Sequence, residues 1–79
     1  MNLKQLEAFD AFMSHGSATR AAAALKISQP MVSRLLSSLE EKTGFELFLR
    51  KRNRLAPTPE AFRFHQSVVH HLAGLHSLE

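Results

Sequence analysis

A mainly α-helical fold with one small β-hairpin is predicted by three observations. Apolar residues recur at helical spacing in four separate stretches. Those stretches are bounded by residues that start or stop helices, with Ser17, Ser28 and Thr58 as caps and Gly16 and Gly44 as stops. Between the third and fourth stretches, residues 45–57 break the helical period and carry a run of cations.

The 79 residues make one small domain with room for one modest core. The chain has no cysteine, which removes disulfides, zinc-thiolate sites and thiol nucleophiles, and fits a reducing compartment. Trp and Tyr are also absent, so six Phe supply all the aromatic bulk. No apolar run is long enough to span a bilayer, and the N-terminus lacks a signal pattern. A soluble cytoplasmic protein with no membrane partner is expected. The formal net charge is +3, unevenly distributed. Residues 28–58 hold six basic and three acidic groups, whereas residues 59–79 hold one basic and two acidic. The densest part is Arg50-Lys51-Arg52-Asn53-Arg54, a local basic patch with no acid in it.

In the first stretch, residues 2–15, Leu3, Leu6, Phe9 and Met13 share a helical face with Phe12 alongside. Gly16 ends it as a left-handed terminal residue. Ser17 caps the second helix, Ala18 to Leu25, whose four consecutive alanines favour helix and let a neighbour approach closely. Lys26-Ile27-Ser28 is a very short connection, with Ile27 expected as its buried hinge. Two helices so joined have the dimensions of a helix-turn-helix, although an αα-hairpin with no nucleic-acid role has the same length.

The third helix opens with Ser28 as cap and Pro30 in the first turn, where a lost N–H is harmless. Val32, Leu35, Leu36 and Leu39 recur at i, i+3, i+4 and i+7 and form the inner face. The outer arc holds Pro30, Ser33, Arg34 and Ser37, with Gln29 at its edge and no acid before Glu40. Its plainer reading is an ordinary wet side. Yet Gln pairs bidentately with adenine, Arg with guanine and Ser with several bases, and Pro offers apolar contact to a thymine methyl. The helix continues to Thr43 and stops at Gly44.

Phe45, Leu47 and Leu49 alternate with Glu46, Phe48 and Arg50, which reads as a short strand with a mixed face. Leu55-Ala56-Pro57 returns as a second strand, so the cationic run becomes the tip of a hairpin wing. A solvated loop is the bland account of that tip, and phosphate contact is the better one. Thr58 then caps a last helix, Pro59 takes its first turn and Glu60 favours its positive end. Ala61, Phe64, Val68, Leu72 and Leu75 share one face, widened by Phe62 and Val69. That arc is broader than one small body requires. A second copy of the helix is its expected partner, with Phe64, Val68, Leu72 and Leu75 at the dimer contact.

Other chemistry finds little support. His65, His70, His71 and His76 lack the i, i+4 pairing and positioned Glu of a zinc helix, so no metal site is expected. Asp10 reads as a solvated surface acid. No Gly-rich phosphate loop, nucleophile elbow or activated Ser is present, so no enzymatic activity is expected.

The combination Thr19-Arg20-Ala21-Ala22 … Leu25-Lys26-Ile27-Ser28-Gln29-Pro30-Met31-Val32-Ser33-Arg34, then Leu39-Glu40 … Gly44-Phe45-Glu46-Leu47-Phe48-Leu49-Arg50 and Thr58-Pro59, resembles the N-terminal DNA-binding domain of LysR-type transcriptional regulators. The resemblance covers residues 1–61 and, more loosely, the final helix. It implies a winged helix-turn-helix over residues 1–58, with the motif at about 18–37 and the wing at about 45–57. It implies base readout by Gln29, Pro30, Ser33 and Arg34, with Ser28, Ser37, Arg50, Lys51, Arg52 and Arg54 on phosphates or in the minor groove. It further implies that residues 59–79 are a linker helix pairing with its copy. The partner would be double-stranded DNA with an interrupted palindrome, bound by a homodimer or, in whole regulators, a tetramer. A C-terminal domain binding a small-molecule effector, absent from this sequence, is also implied, and no cofactor is expected in this chain. Thr43, Asn53, Pro57 and Glu60-Ala61 depart from the family's usual residues. The rival reading is a winged helix used for protein–protein interaction, against which the acid-free outer face of the third helix argues.

Overall fold

The structure, a computed structural model, describes residues 1–77, with side chains described as far as Gly74. Its elements run α1 (Leu3–His15), α2 (Ala18–Leu25), α3 (Gln29–Thr43), β1 (Phe48–Lys51), β2 (Arg54–Pro57) and α4 (Pro59–Ser77).

Local chemistry explains the helix ends. Asn2 Oδ1 accepts the Gln5 N–H at 2.8 Å while Gln5 Oε1 accepts the Asn2 N–H at 3.0 Å, a reciprocal cap for α1. Gly16 and Gly44 close α1 and α3 at φ 84° and 79°, a region glycine enters without steric cost. Ser17 caps α2 through the Arg20 N–H, and Ser28 caps α3 through the Met31 N–H.

The turn between α2 and α3 departs from expectation. Lys26 adopts φ 60°, and the Lys26 and Ile27 N–H groups donate to the Ala23 and Ala22 carbonyls. That is a Schellman closure made without glycine. Ile27 is 37% exposed and therefore not the buried hinge, because the left-handed Lys26 turns the chain outward before it enters α3.

The core lies between α1, α2 and α3, with Phe9, Phe12, Val32, Leu36, Leu39 and Leu47 almost wholly enclosed. Burying each such side chain stabilises the fold by about 1.5–3 kcal/mol. Phe48 brings the wing to this core, with its ring 5.3 Å from Phe12 and 5.9 Å from Phe9, both edge-on. Gln5, 5% exposed, donates from Nε2 to Ser38 Oγ at 2.7 Å and so joins α1 to α3 by a satisfied buried polar contact.

β1 and β2 pair antiparallel, from Phe48 opposite Pro57 to Lys51 opposite Arg54. The strand expected from Phe45 begins only at Phe48. The Leu47 and Phe48 N–H groups both donate to Glu40 Oε2, at 2.7 and 3.0 Å, so the chain is held by α3 before it can join a ladder. Leu47 and Phe48 are consequently buried in succession, which breaks the alternation read from the sequence. Arg52 and Asn53 form the two-residue connection, with φ 48° and 62°, as a type I′ turn requires.

Thr58 joins wing and α4. Its Oγ1 donates to the Glu46 carbonyl at 2.8 Å and accepts the Ala61 N–H at 3.2 Å, and its own N–H donates to Leu47 at 3.0 Å. α4 then packs back along α1. Phe64 stacks on Phe9 at 5.4 Å, and Val68 and Leu72 are 3% and 8% exposed within this single chain. Phe64, Val68 and Leu72, which the sequence reading assigns to a contact with a second copy, thus have packing partners within this chain. They serve the chain's own core, and among the described residues the large apolar ones left open on α4 are Phe62 and Val69, at 57% and 45% exposure. Leu75, the fourth residue expected there, and His76 lie outside the residues whose side chains are described. Asp10 is not merely solvated: its Oδ1 lies 2.8 Å from His65 Nε2, a second tie between α1 and α4.

Candidate nucleic-acid interface

The N-terminal half of α3 is held by its leucine face, so its polar arc points outward. Gln29, Pro30, Arg34 and Ser37 are exposed, and Ser33 is half-buried. Ser28 is exposed too, but its Oγ is engaged by the Met31 N–H at 3.2 Å, so its first role is to start the helix.

The wing folds over the same side. Gln29 and Ser33 of α3, Arg50 and Arg54 of the wing, and Ser17 and Thr19 at the start of α2 line one small polar cleft of about 140 Å³. That volume is below the range typical of small-molecule sites, about 300–1,000 Å³. Ala18 and Leu55 also line the cleft, and its polar groups include donors and cations, the chemistry that meets phosphate oxygens and base acceptors. Arg34 and Ser37 sit beside a second shallow depression along α3, shared with Ser33, Ser38 and Glu41. Lys51 and Arg52 are exposed toward the hairpin tip and do not line the cleft.

None of Arg50, Lys51, Arg52 and Arg54 forms an ion pair among the described residues. Lys51 and Arg54 stand directly opposite each other across the ladder. Like charges so placed destabilise a hairpin. The fold gains nothing from that arrangement, whereas an external polyanion would be attracted by it.

Three contributions escaped the sequence reading. Ser17 and Thr19 reach the cleft through tertiary packing, for which no local signal exists. Glu40, which in the sequence ends the acid-free arc and belongs to the Leu39-Glu40 motif, is the carboxylate that ties the wing to α3. Gln5, which caps α1 with Asn2, has a signal in the sequence itself, the capping-box spacing Asn2-x-x-Gln5.

Among the described residues, no group of three or more potential metal ligands converges, and no helix is long and apolar enough to cross a membrane. The helical pair α2–α3, the paired strands beside it and the shared polar cleft define a winged helix-turn-helix domain. A family model described as "Bacterial regulatory helix-turn-helix protein, lysR family" matches residues 3–62. The chain belongs to that family.

Relatives include Regulatory protein NocR of Agrobacterium fabrum, 45% identical over 76 residues, covering 96% of this chain and 25% of that protein. Transcriptional activator protein LysR of Escherichia coli K12 is 44% identical over 75 residues, covering 95% of this chain and 24% of its own length. The chain thus spans about a quarter of the length of these curated relatives. Among solved structures, the BenM_DBD/catB site 1 DNA complex superposes with a TM-score of 0.91 at 35% identity, covering 99% of this chain and 88% of that one. The CbnR_DBD–DNA complex gives 0.83 at 29% identity, covering 98% and 91%.

Proposed function

We propose that this chain binds double-stranded DNA sequence-specifically as the DNA-reading part of a bacterial transcriptional regulator. The observation that carries the reading is the shared cleft, in which Gln29 and Ser33 of α3 stand beside the unpaired wing cations Arg50 and Arg54. α3 lies in the major groove, with Gln29, Pro30, Ser33 and Arg34 toward base edges. Ser28, Ser37, Arg50, Lys51, Arg52 and Arg54 hold the phosphate backbone or enter the minor groove. The complexes formed by BenM_DBD and CbnR_DBD with DNA support this orientation.

Two copies join through α4, with Phe62 and Val69, seven residues apart, as the exposed apolar contact. The DNA site is then an interrupted palindrome. The regulator works in the cytoplasm, its small-molecule effector binds a domain outside these residues, and this chain catalyses no reaction.

Anisotropy titration of a labelled duplex tests the reading. A duplex selected from a random pool should bind at least about 10³-fold more tightly than a scrambled one, with strong salt dependence. Equal affinity for both, or salt-independent binding, overturns it.

A further inference from the structure

Gln29 and Ser33 stand one turn apart on α3, and the Gln29 Nε2–H donates to Ser33 Oγ at 2.9 Å. Both face the cleft below the wing. Gln29 is exposed, and an exposed glutamine unconstrained by a neighbour samples many rotamers. This one is tethered before any ligand arrives. We propose that Ser33 is a positioning residue for Gln29, holding its amide so that the carbonyl oxygen and the remaining N–H present a single edge that selects adenine.

The chemistry follows from the amide itself. It carries one acceptor oxygen and two N–H donors. Ser33 takes one N–H. The oxygen and the other N–H remain, an acceptor beside a donor. Adenine shows the complement in the major groove, with N6–H as donor and N7 as acceptor. Guanine shows two acceptors, N7 and O6, and leaves the amide oxygen facing a lone pair. A side chain already held also loses less freedom on binding, so more of its contact appears as discrimination. Ser33 therefore acts through Gln29, a different role from reading a base directly. The inference rests on the DNA-binding reading above.

The test uses a duplex that the unsubstituted chain selects from a random pool, with each adenine replaced in turn by 7-deazaadenine, which lacks the N7 acceptor. The chain should lose about tenfold in affinity at one adenine, the size expected for a bidentate contact. Gln29→Ala should bind more weakly and show no loss at that adenine. Ser33→Ala should cut the loss to about threefold or less while penalties at other adenines stay unchanged. Ser33→Thr, which keeps Oγ, should restore it. Helix content by circular dichroism should not change in Ser33→Ala, since alanine favours helix. A full penalty in Ser33→Ala overturns the positioning role, and so does an equal effect of that substitution in the Gln29→Ala background. Specific binding with no adenine sensitive to Gln29 overturns it while leaving DNA binding intact. A chain that selects no sequence overturns both.

Discussion

The Glu40 carboxylate accepts the Leu47 N–H at 2.7 Å, and through the same oxygen the neighbouring Phe48 N–H. A residue near the C-terminal end of α3 thereby fixes where the wing begins. Since α3 carries Gln29 and the wing carries Arg50 and Arg54, this contact helps set the relation between the two sides of the cleft.

Glu40→Ala should orphan both N–H groups and destabilise the fold by about 2–3 kcal/mol. Urea unfolding measures that loss. Glu40→Gln keeps an acceptor oxygen and should lose less, about 1 kcal/mol. Equal losses would mean that charge, and not the two hydrogen bonds, holds the wing.

Gln29→Ala should weaken binding to the selected duplex by about 1–3 kcal/mol and relax discrimination. Binding to scrambled DNA serves as the control. A loss of the same size there removes Gln29 from base readout.

Arg52→Ala should weaken all duplexes alike and flatten the logarithmic salt slope by about one. Titrations at several salt concentrations give the slope directly. An unchanged slope takes Arg52 off the phosphate.

Leu72 and Val69 separate the two roles of α4. Leu72→Ala opens a cavity against α1 and should lower stability by about 2–3 kcal/mol. Val69→Ala, at an exposed site, should leave unfolding within about 0.5 kcal/mol of the parent chain. It should nonetheless weaken self-association measured by sedimentation. The reverse pattern would return the inner arc to the dimer contact.

The helices were readable because their signals are local. Ser17, Ser28 and Gly44 act within a few residues of where they stand, and Val32, Leu36 and Leu39 repeat at the helical period. The cleft residues Gln29 and Ser33 were readable for the same reason, as groups on the side of α3 opposite its leucines.

What failed depends on distance in sequence. An apolar arc such as Phe64, Val68 and Leu72 records that something must cover it, not whether the cover is α1 or another chain. Lys26 takes a left-handed conformation that sequence associates with glycine or asparagine, so the outward turn at Ile27 carried no warning. Asp10 and His65 are 55 positions apart, and nothing in either neighbourhood announces the other.

Lys51 facing Arg54 across the hairpin has a thermodynamic corollary. Standing opposite each other, each cation raises the energy of the other. Beside a polyanion that mutual repulsion would be neutralised, which links the pairing energy of the hairpin to the charge of its surroundings.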